Sequence, residues 1–193
     1  MIALTESGKS YTLDAAALPA GRGDGAPVNT LVNSSSDDIV WMGCGDPQRQ
    51  LLMNSSAGLG FVCRLGDLVS KTRQGKDFMS VAEGARAQAP ATLTGGKFVA
   101  ALSSDARLLL FPLDEVPVRA NGGVGVQLIA LPGGITLASA APSDGKSLAV
   151  SGMRRKNRAT LTLNAQQLGA HMGRRAQRGK LCDATLRPDR IDP

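Results

Sequence analysis

The stretch that decides the fold is QLLMNSSAGLGFVCRLGDLVSKTRQGKDFMSV, residues 50–81. It consists of short apolar runs separated by turn residues, and the same template occurs elsewhere in the chain. Fifty positions earlier, Tyr11 stands in the place of Phe61, and forty-eight positions later Phe111 stands in the place of Cys63. Self-similarity at such a period is typical of an array of repeated structural units.

Four copies of this template are present. They predict blade repeats at about 1–33, 34–82, 90–131 and 134–184, followed by a tail at 185–193. Runs of 4–7 residues rich in Val, Ile and Leu, with Gly or Asp between them, favour strands. A blade cannot bury both of its faces alone, so neighbouring blades must stack on one another. We therefore predict one all-β, propeller-like domain over residues 1–193, with about four blades of four strands.

Helix signals are weak in this chain. The best candidate is the segment at 164–176, in which Asn164 is a possible N-cap. Gly169 and Gly173 interrupt it, and glycine inside a helix is unfavourable. We expect at most a turn or two of helix within a loop.

The positive charge of the chain is concentrated near one end. The formal net charge is +6, and residues 145–182 contain nine Lys or Arg and no Asp or Glu. Residues 1–144 hold eleven Lys or Arg against thirteen Asp or Glu. A near-neutral body with one strongly basic end favours a polyanionic partner.

Residues for catalysis are sparse, and we predict no catalytic or metal site. Tyr11 lies on a predicted strand in an apolar place, and the single histidine, His171, is interpreted as a solvated loop residue. Cys44, Cys63 and Cys182 are far apart, which suits a reducing cytoplasm, and we expect all three to be small buried side chains. No apolar run reaches the length of a membrane span.

Three segments carry a family resemblance: LLMNSSAGLGFVCRLGDLVSKTRQGK (51–76), ARLLLFPLDEVP (106–117) and RGKLCDATLRPDRID (178–192). They resemble the C-terminal domain of the A subunit of bacterial topoisomerase IV (ParC), in the type IIA topoisomerase family. GKSYTLDAAALP (8–19) is similar to an earlier blade of that domain. The resemblance covers nearly the whole chain and is most specific around 58–76.

The resemblance implies a β-pinwheel whose basic rim binds and bends double-stranded DNA. Such a domain helps the topoisomerase select DNA segments for decatenation and relaxation. The ATP, the Mg²⁺ and the tyrosine nucleophile of that ATP-dependent enzyme belong to other domains, so no cofactor and no activity are expected for this chain by itself. The implied partners are DNA, the rest of ParC and the ParE-like ATPase protein, in the bacterial cytoplasm and nucleoid. We expect the chain itself to be monomeric.

Two departures from related domains refine this expectation. The gyrase A domain carries a heptapeptide close to QRRGGKG, and the nearest strings here, at 71–77 and 174–180, do not match it. This difference favours topoisomerase IV over gyrase. The family domain also has a further blade before the first repeat found here, so we expect the chain to lack that blade.

The predicted DNA contacts are basic residues in the loops and in the basic end. They are Arg22, Lys71, Arg73, Lys76, Arg119, Arg154, Arg155, Lys156, Arg158, Arg174, Arg175, Arg178 and Lys180. Lys and Arg neutralise phosphates and release counterions, which supplies most affinity that is independent of base sequence. The runner-up function is a propeller scaffold for an acidic protein partner, and a β-propeller enzyme is a third, weaker alternative.

Overall fold

The computed structural model describes residues 1–17, 28, 32 and 37–192. Its strands form four antiparallel sheets, here called blades A to D. Blade A consists of β1 (Ile2–Thr5), β2 (Lys9–Thr12), β3 (Ile39–Gly43) and β6 (Lys76–Asp77). Blade B consists of β4 (Gln50–Asn54), β5 (Leu59–Arg64), β7 (Ala91–Thr92) and β10 (Val126–Gln127). Blade C consists of β8 (Phe98–Ser103), β9 (Arg107–Pro112), β11 (Leu137–Ser143) and β14 (Lys180–Leu181). Blade D consists of β12 (Ser147–Arg154), β13 (Asn157–Asn164) and β15 (Leu186–Asp192).

The sheets share one strand order, which confirms the predicted all-β repeat architecture. Blade A has the order β3-β1-β2-β6, and blades B and C repeat it as β7-β4-β5-β10 and β11-β8-β9-β14. Blade D has the order β15-β12-β13, so among the described residues nothing occupies its fourth place. In blades A, B and C a hairpin forms the middle two strands of the sheet, and in blade D the hairpin pairs the central strand β12 with the edge strand β13.

The outermost strand of blades A, B and C is supplied by the repeat that follows in the chain. β6 comes after the hairpin of blade B, yet it pairs with β2 of blade A. The predicted repeats at 1–33, 34–82, 90–131 and 134–184 therefore differ from the sheets, because each of the last three contributes strands to two of them. The segment at 39–44, which we assigned to the second repeat, forms β3 of blade A. Apolar periodicity indicates a strand, but it does not tell which strand edge will accept its hydrogen bonds.

The hydrophobic core is divided into layers between neighbouring blades. Leu51 and Leu52 are adjacent in β4 and fully buried, and they belong to two different layers. Side chains alternate between the faces of a strand, so a strand with a blade on each side must be apolar at every position. Leu110 and Leu148 lie in a third layer, between blades C and D. Full burial of one such side chain contributes about 1.5–3 kcal/mol to stability.

The predicted burial of individual residues is confirmed at some positions and wrong at others. Tyr11 is buried in β2, as its place in the repeat predicts. His171, interpreted as a solvated residue, is instead buried, because the edge of β9 hydrogen-bonds to its backbone and encloses it. Cys63 is buried, and burial raises the pKa of its thiol to about 12. Cys44 is exposed, which corrects the expectation that all three cysteines are buried.

The helical elements are short. Single 3₁₀ turns at Ala15–Ala17, Leu65–Leu68 and Leu113–Glu115 follow the hairpins of blades A, B and C. After the hairpin of blade D this place is taken by α1 (Ala165–Ala170), with Asn164 and Gln167 forming a capping box. Within the described residues, no helix has both the length and the apolar character to cross a membrane.

Candidate nucleic-acid interface

Three loops attach to the perimeter of the blades, and each doubles back along the second strand of a hairpin. We call them hook A (70–77), hook B (118–127) and hook C (172–181). Hook B begins with a parallel bridge from Val118 to Val62 and ends with β10 antiparallel to the start of β5. Hook C repeats this with a parallel bridge from Met172 to Leu110 and with β14 on β9. Hook A begins where the backbone N–H of Ser70 donates to Oγ1 of Thr12, and it ends with β6 on β2.

The hooks lie on the outside of the array. β11 packs against both β7 and β15, so the strands at this end of the sheet order face the middle of the molecule. The opposite end of each sheet, where the hook attaches, therefore forms the perimeter.

Each hook contains a tight turn closed by a backbone hydrogen bond. The N–H of Gly75 donates to the carbonyl of Thr72 at 3.2 Å, and the N–H of Gly122 donates to that of Arg119 at 3.3 Å. In hook C the N–H of Gln177 donates to the carbonyl of Arg174 at 3.4 Å. The predicted basic residues of the three hooks lie in or beside these turns.

Hooks B and C are each hydrogen-bonded to the chain just after the preceding hook on the perimeter. The N–H of Gly123 donates to the carbonyl of Phe78, just after hook A, at 2.8 Å. Gly122 beside it has φ +72°, and a Cβ there would lie 1.8 Å from that carbonyl oxygen. Only glycine allows the two backbones to approach so closely. The N–H of Ala130, just after hook B, donates to the carbonyl of Gln177 in hook C at 2.9 Å.

Hook A presents two of its three predicted cations to solvent. Lys71 and Arg73 are exposed and have no ion-pair partner among the described residues. Lys76 is half-buried, and its Nζ donates to the carbonyl of Asp67 at 2.9 Å while lying 4.9 Å from the centroid of the Phe78 ring. These contacts of the Lys76 side chain help to fix hook A against the rest of the fold.

Hook B is the least basic of the three. Arg119 is half-buried, and the rest of its turn is uncharged. Val118 and Val124 on the same hook are 61% and 51% exposed. The positive charge of the perimeter is therefore interrupted at blade B.

Hook C carries four predicted cations, and their surroundings differ. Arg174 and Lys180 are exposed and have no ion-pair partner among the described residues. Arg178 lies 3.6 Å from the carboxylate of Asp105. Burial pulls the pKa of Asp105 upward, but a hydrogen bond from Ser103 and the charges of Arg107 and Arg178 outweigh it and lower the pKa.

Arg175 holds hook C against its neighbours. Its Nη1 donates to the carbonyl of Gln127 in hook B at 2.7 Å. Its backbone N–H donates to Oε2 of Glu115 at 2.8 Å. Hydrogen bonds from a charged group to a partly buried carbonyl contribute about 1.5–3 kcal/mol. The structure therefore gives Arg175 a structural task beside the predicted DNA contact.

The remaining predicted cations lie on the hairpin of blade D, apart from the hooks. Arg154 pairs with Asp183, and Arg158 pairs with Asp189. Hydrogen bonds from Thr185, with the guanidinium of Arg154, lower the pKa of Asp183 to about 2. Arg155 and Lys156 are exposed between these pairs. Arg22 lies outside the described residues.

Arg187, which is exposed in β15, was not among the predicted contacts. The basic segment was bounded at residue 182 because Asp183 follows. Strand periodicity offered a signal: Leu186, Pro188 and Ile191 are buried, while Arg187 points to the other face. That alternation would have joined Arg187 to the basic residues of blade D.

Comparison with known proteins places these features in a family context. No family model matches the chain. The chain is 33% identical over 159 residues to the A subunit of DNA topoisomerase 4 from Neisseria gonorrhoeae, covering 79% of this chain and 21% of that protein. It is 31% identical over 206 aligned positions to the same protein from Salmonella typhimurium, covering 100% of this chain and 26% of that protein. The chain thus spans about a quarter or less of these relatives. The solved E. coli ParC C-terminal domain superposes with a TM-score of 0.86 and 27% identity, over 99% of this chain and 79% of that one.

Proposed function

We propose that this chain, which belongs to the family of C-terminal domains of bacterial topoisomerase IV ParC proteins, binds and bends double-stranded DNA. The observation that carries the proposal is the set of three hooks, which occupy equivalent places on successive blades. Repetition of the hooks around a curved perimeter suits a long, regularly charged partner.

The physical basis of binding is neutralisation of phosphates by exposed cations. Lys71, Arg73, Arg174 and Lys180 extend from the hooks without an ion-pair partner among the described residues. Each phosphate that they neutralise releases condensed counterions, so affinity rises without any reading of base sequence. Bending a site of 20–30 base pairs costs on the order of 1–6 kcal/mol, which contacts to several hooks can offset.

A duplex suits this surface better than a single strand. Proteins that hold single strands stack the bases on exposed aromatic rings. Here Phe61, Phe78 and Phe111 are fully buried in the layers between blades, and Tyr11 is 6% exposed. Trp41 and Phe98 are half-buried in strands, and none of the three hooks contains an aromatic residue, so the cations of the hooks have no stacking platform within their own loops.

We infer that the domain serves as a non-catalytic part of a type II topoisomerase. In this proposal ATP and Mg²⁺ act in other domains, and the domain works with the rest of ParC and the ParE-like ATPase protein on the bacterial nucleoid. Its contribution is to hold and bend the DNA segments that the enzyme selects. The chain itself is proposed to be monomeric and cytoplasmic.

The decisive experiment is a titration of labelled duplex with the chain at several salt concentrations. A logarithmic plot of affinity against salt should have a slope of about −0.9 for each phosphate neutralised. Energy transfer between dyes at the two ends of the duplex should increase on binding, because bending brings the ends together. An affinity that does not change with salt, or a stronger response to an acidic protein than to DNA, would favour the scaffold alternative.

A further inference from the structure

The hairpin of blade D is longer than the other three. β12 and β13 contain eight residues each and pair along their whole length, from Ser147 with Asn164 to Arg154 with Asn157. The corresponding strands of blades A to C contain four to six residues. The tip of this hairpin is therefore carried further from the core than the other hairpin turns.

A large cation occupies the tip in a conformation that side chains rarely adopt. Arg155 has φ +56° and begins the two-residue turn to Lys156. The left-handed residues in the other three hairpin turns are Gly8, Gly58 and Ala106, all small. Such turns usually place Gly or Asn at a position of positive φ. An arginine at this strained position, where the other hairpin turns have small residues, points to a task for its side chain.

Two ion pairs brace the base of the tip and leave its end free. Arg154 pairs with Asp183, and Arg158 pairs with Asp189 in β15. Arg155 and Lys156 are exposed and have no ion-pair partner in the part of the chain that the structure describes. Arg187 lies opposite Met153 on β15, near the tip, and it too is exposed without such a partner.

The outer face of blade D is polar, unlike the faces between blades. Leu148 and Val150 point toward blade C, and the alternate residues of the sheet point away from it. On that outer face Ser151 hydrogen-bonds to Thr160 and to Asp192, and Arg158 lies beside them. The edge of β13 also carries no hook among the described residues. Among the described residues, blade D is therefore the last blade of the apolar stack, and no hook attaches to its β13 edge.

We propose that the tip of the blade D hairpin, Arg155 and Lys156 with Arg187 beside them, is a second contact for duplex DNA, separate from the hooks. The proposal rests on the proposed function, since it assigns to the same DNA a further set of phosphates. The hooks hold the duplex along the perimeter of blades A to C, and the tip holds it where the array of hooks ends.

The test compares the wild-type chain with the double variant Arg155→Gly and Lys156→Ala. The matched control is Lys97→Ala with Lys146→Ala, which removes two exposed cations from the opposite ends of the β8 and β12 hairpins. Salt titration should give the tip variant a log–log slope less steep by about 1.8, since each phosphate contributes about 0.9. Hydroxyl-radical footprinting should show protection lost at one end of the bound duplex. Thermal unfolding of the variant should occur no lower than in the wild type, because glycine relieves the positive φ at position 155.

Two results would overturn the proposal. One is a tip variant with the slope and footprint of the wild type. The other is a control variant whose log–log salt slope falls as much as that of the tip variant, while neither variant loses protection at one end of the duplex. The cations would then act only through the overall electrostatic field. A wild-type chain that fails to bind duplex at low salt refutes the proposed function itself, so failure at the two levels is distinguishable.

Discussion

Gly58 and Ala106 occupy equivalent places in successive hairpin turns and share the left-handed backbone conformation, with φ +77° and +61°. The N–H of Gly58 donates to the carbonyl of Ser55 at 2.9 Å, and that of Ala106 donates to the carbonyl of Ser103 at 3.0 Å. Gly8 completes the series in blade A, with φ +87°. The turn geometry is therefore retained across three blades while the residue that adopts it changes.

Alanine should be tolerated very differently at these turns. A Cβ at Gly8 would lie 2.0 Å from the carbonyl oxygen of Met79, whereas at Gly58 the nearest atom is Cδ1 of Leu131 at 2.8 Å. A backbone carbonyl cannot move aside as the end of a leucine can. We expect Gly8→Ala to lower the free energy of unfolding by about 3 kcal/mol or more, and Gly58→Ala by about 1–2 kcal/mol. Urea denaturation measures both, and equal losses would contradict the packing described for Gly8.

Cations without a partner should matter more for DNA binding than paired ones. The variant Arg174→Ala with Lys180→Ala removes two exposed cations of hook C. Its control, Lys9→Ala with Arg178→Ala, removes two that lie 3.8 and 3.6 Å from the carboxylates of Asp77 and Asp105. We expect the first variant to reduce the log–log salt slope by about 1.8 and the control by clearly less. Equal slopes would mean that the charge acts as a diffuse field rather than through the hooks.

Arg175 and Arg174 are adjacent but should respond differently to substitution. Arg175→Ala removes the hydrogen bond to the carbonyl of Gln127 and should lower the free energy of unfolding by about 1.5–3 kcal/mol. Arg174→Ala removes an exposed side chain and should change stability by less than about 0.5 kcal/mol. Chemical denaturation of the two variants provides the comparison, and a stable Arg175→Ala variant would show that hook C is held by its backbone alone.

Acidification should weaken the attachment of hook C. Burial lowers the pKa of His171 below its ordinary value of 6.5, and the charge of Lys180 adds to this. The unfolded chain therefore binds a proton more readily than the folded chain. The stability that neutral His171 contributes is complete above pH 6.5 and is lost as the pH falls toward the folded-state pKa. We expect the melting temperature of the wild type to fall as the pH is lowered from about 7.5 to 5.5. The melting temperature of the His171→Gln variant should fall less over the same range. Parallel pH profiles would rule out His171 as the cause.

Magnesium should oppose DNA binding rather than support it. The proposed contacts use the cations of the protein itself, so a divalent counterion competes with them for the phosphates. We expect millimolar Mg²⁺ to reduce the affinity for duplex, and a chelator added to the metal-free mixture to leave it unchanged. Tighter binding in Mg²⁺ would indicate a metal-bridged contact instead. Fluorescence anisotropy with labelled duplex distinguishes these results.

Much of the architecture follows from local pattern. The strands of the hairpins coincide with the predicted apolar runs, since alternation and turn glycines act over a few residues. The bounds of the blades did not follow, because β6, β10 and β14 attach to the preceding sheet. The sheet that each of these strands joins depends on which strand edge is unpaired in the folded chain, and a local sequence pattern does not predict this.

The candidate site was also predicted only in part from the sequence. The excess of Lys and Arg and its place near one end could be read directly from the sequence. The state of each cation could not, because its partner lies far away along the chain. Arg154 meets Asp183 across 29 positions, and Arg175 meets the carbonyl of Gln127 across 48.

By itself, the sequence determined an all-β repeat of blades with apolar strands, turns between them and a basic end. These properties depend on side-chain type and on neighbours within one hairpin. The tertiary structure alone decided that the loops become hooks on the preceding blade. It also decided that Lys71, Arg73, Arg155 and Arg174 have no ion-pair partner among the residues that the structure describes, while Arg175 hydrogen-bonds to the carbonyl of Gln127. The physical reason is that ion pairs and strand pairing between distant segments depend on which surfaces the packed blades bring together. The residue type sets the charge of a side chain, whereas its neighbours in the folded structure determine whether that side chain is available to bind a phosphate.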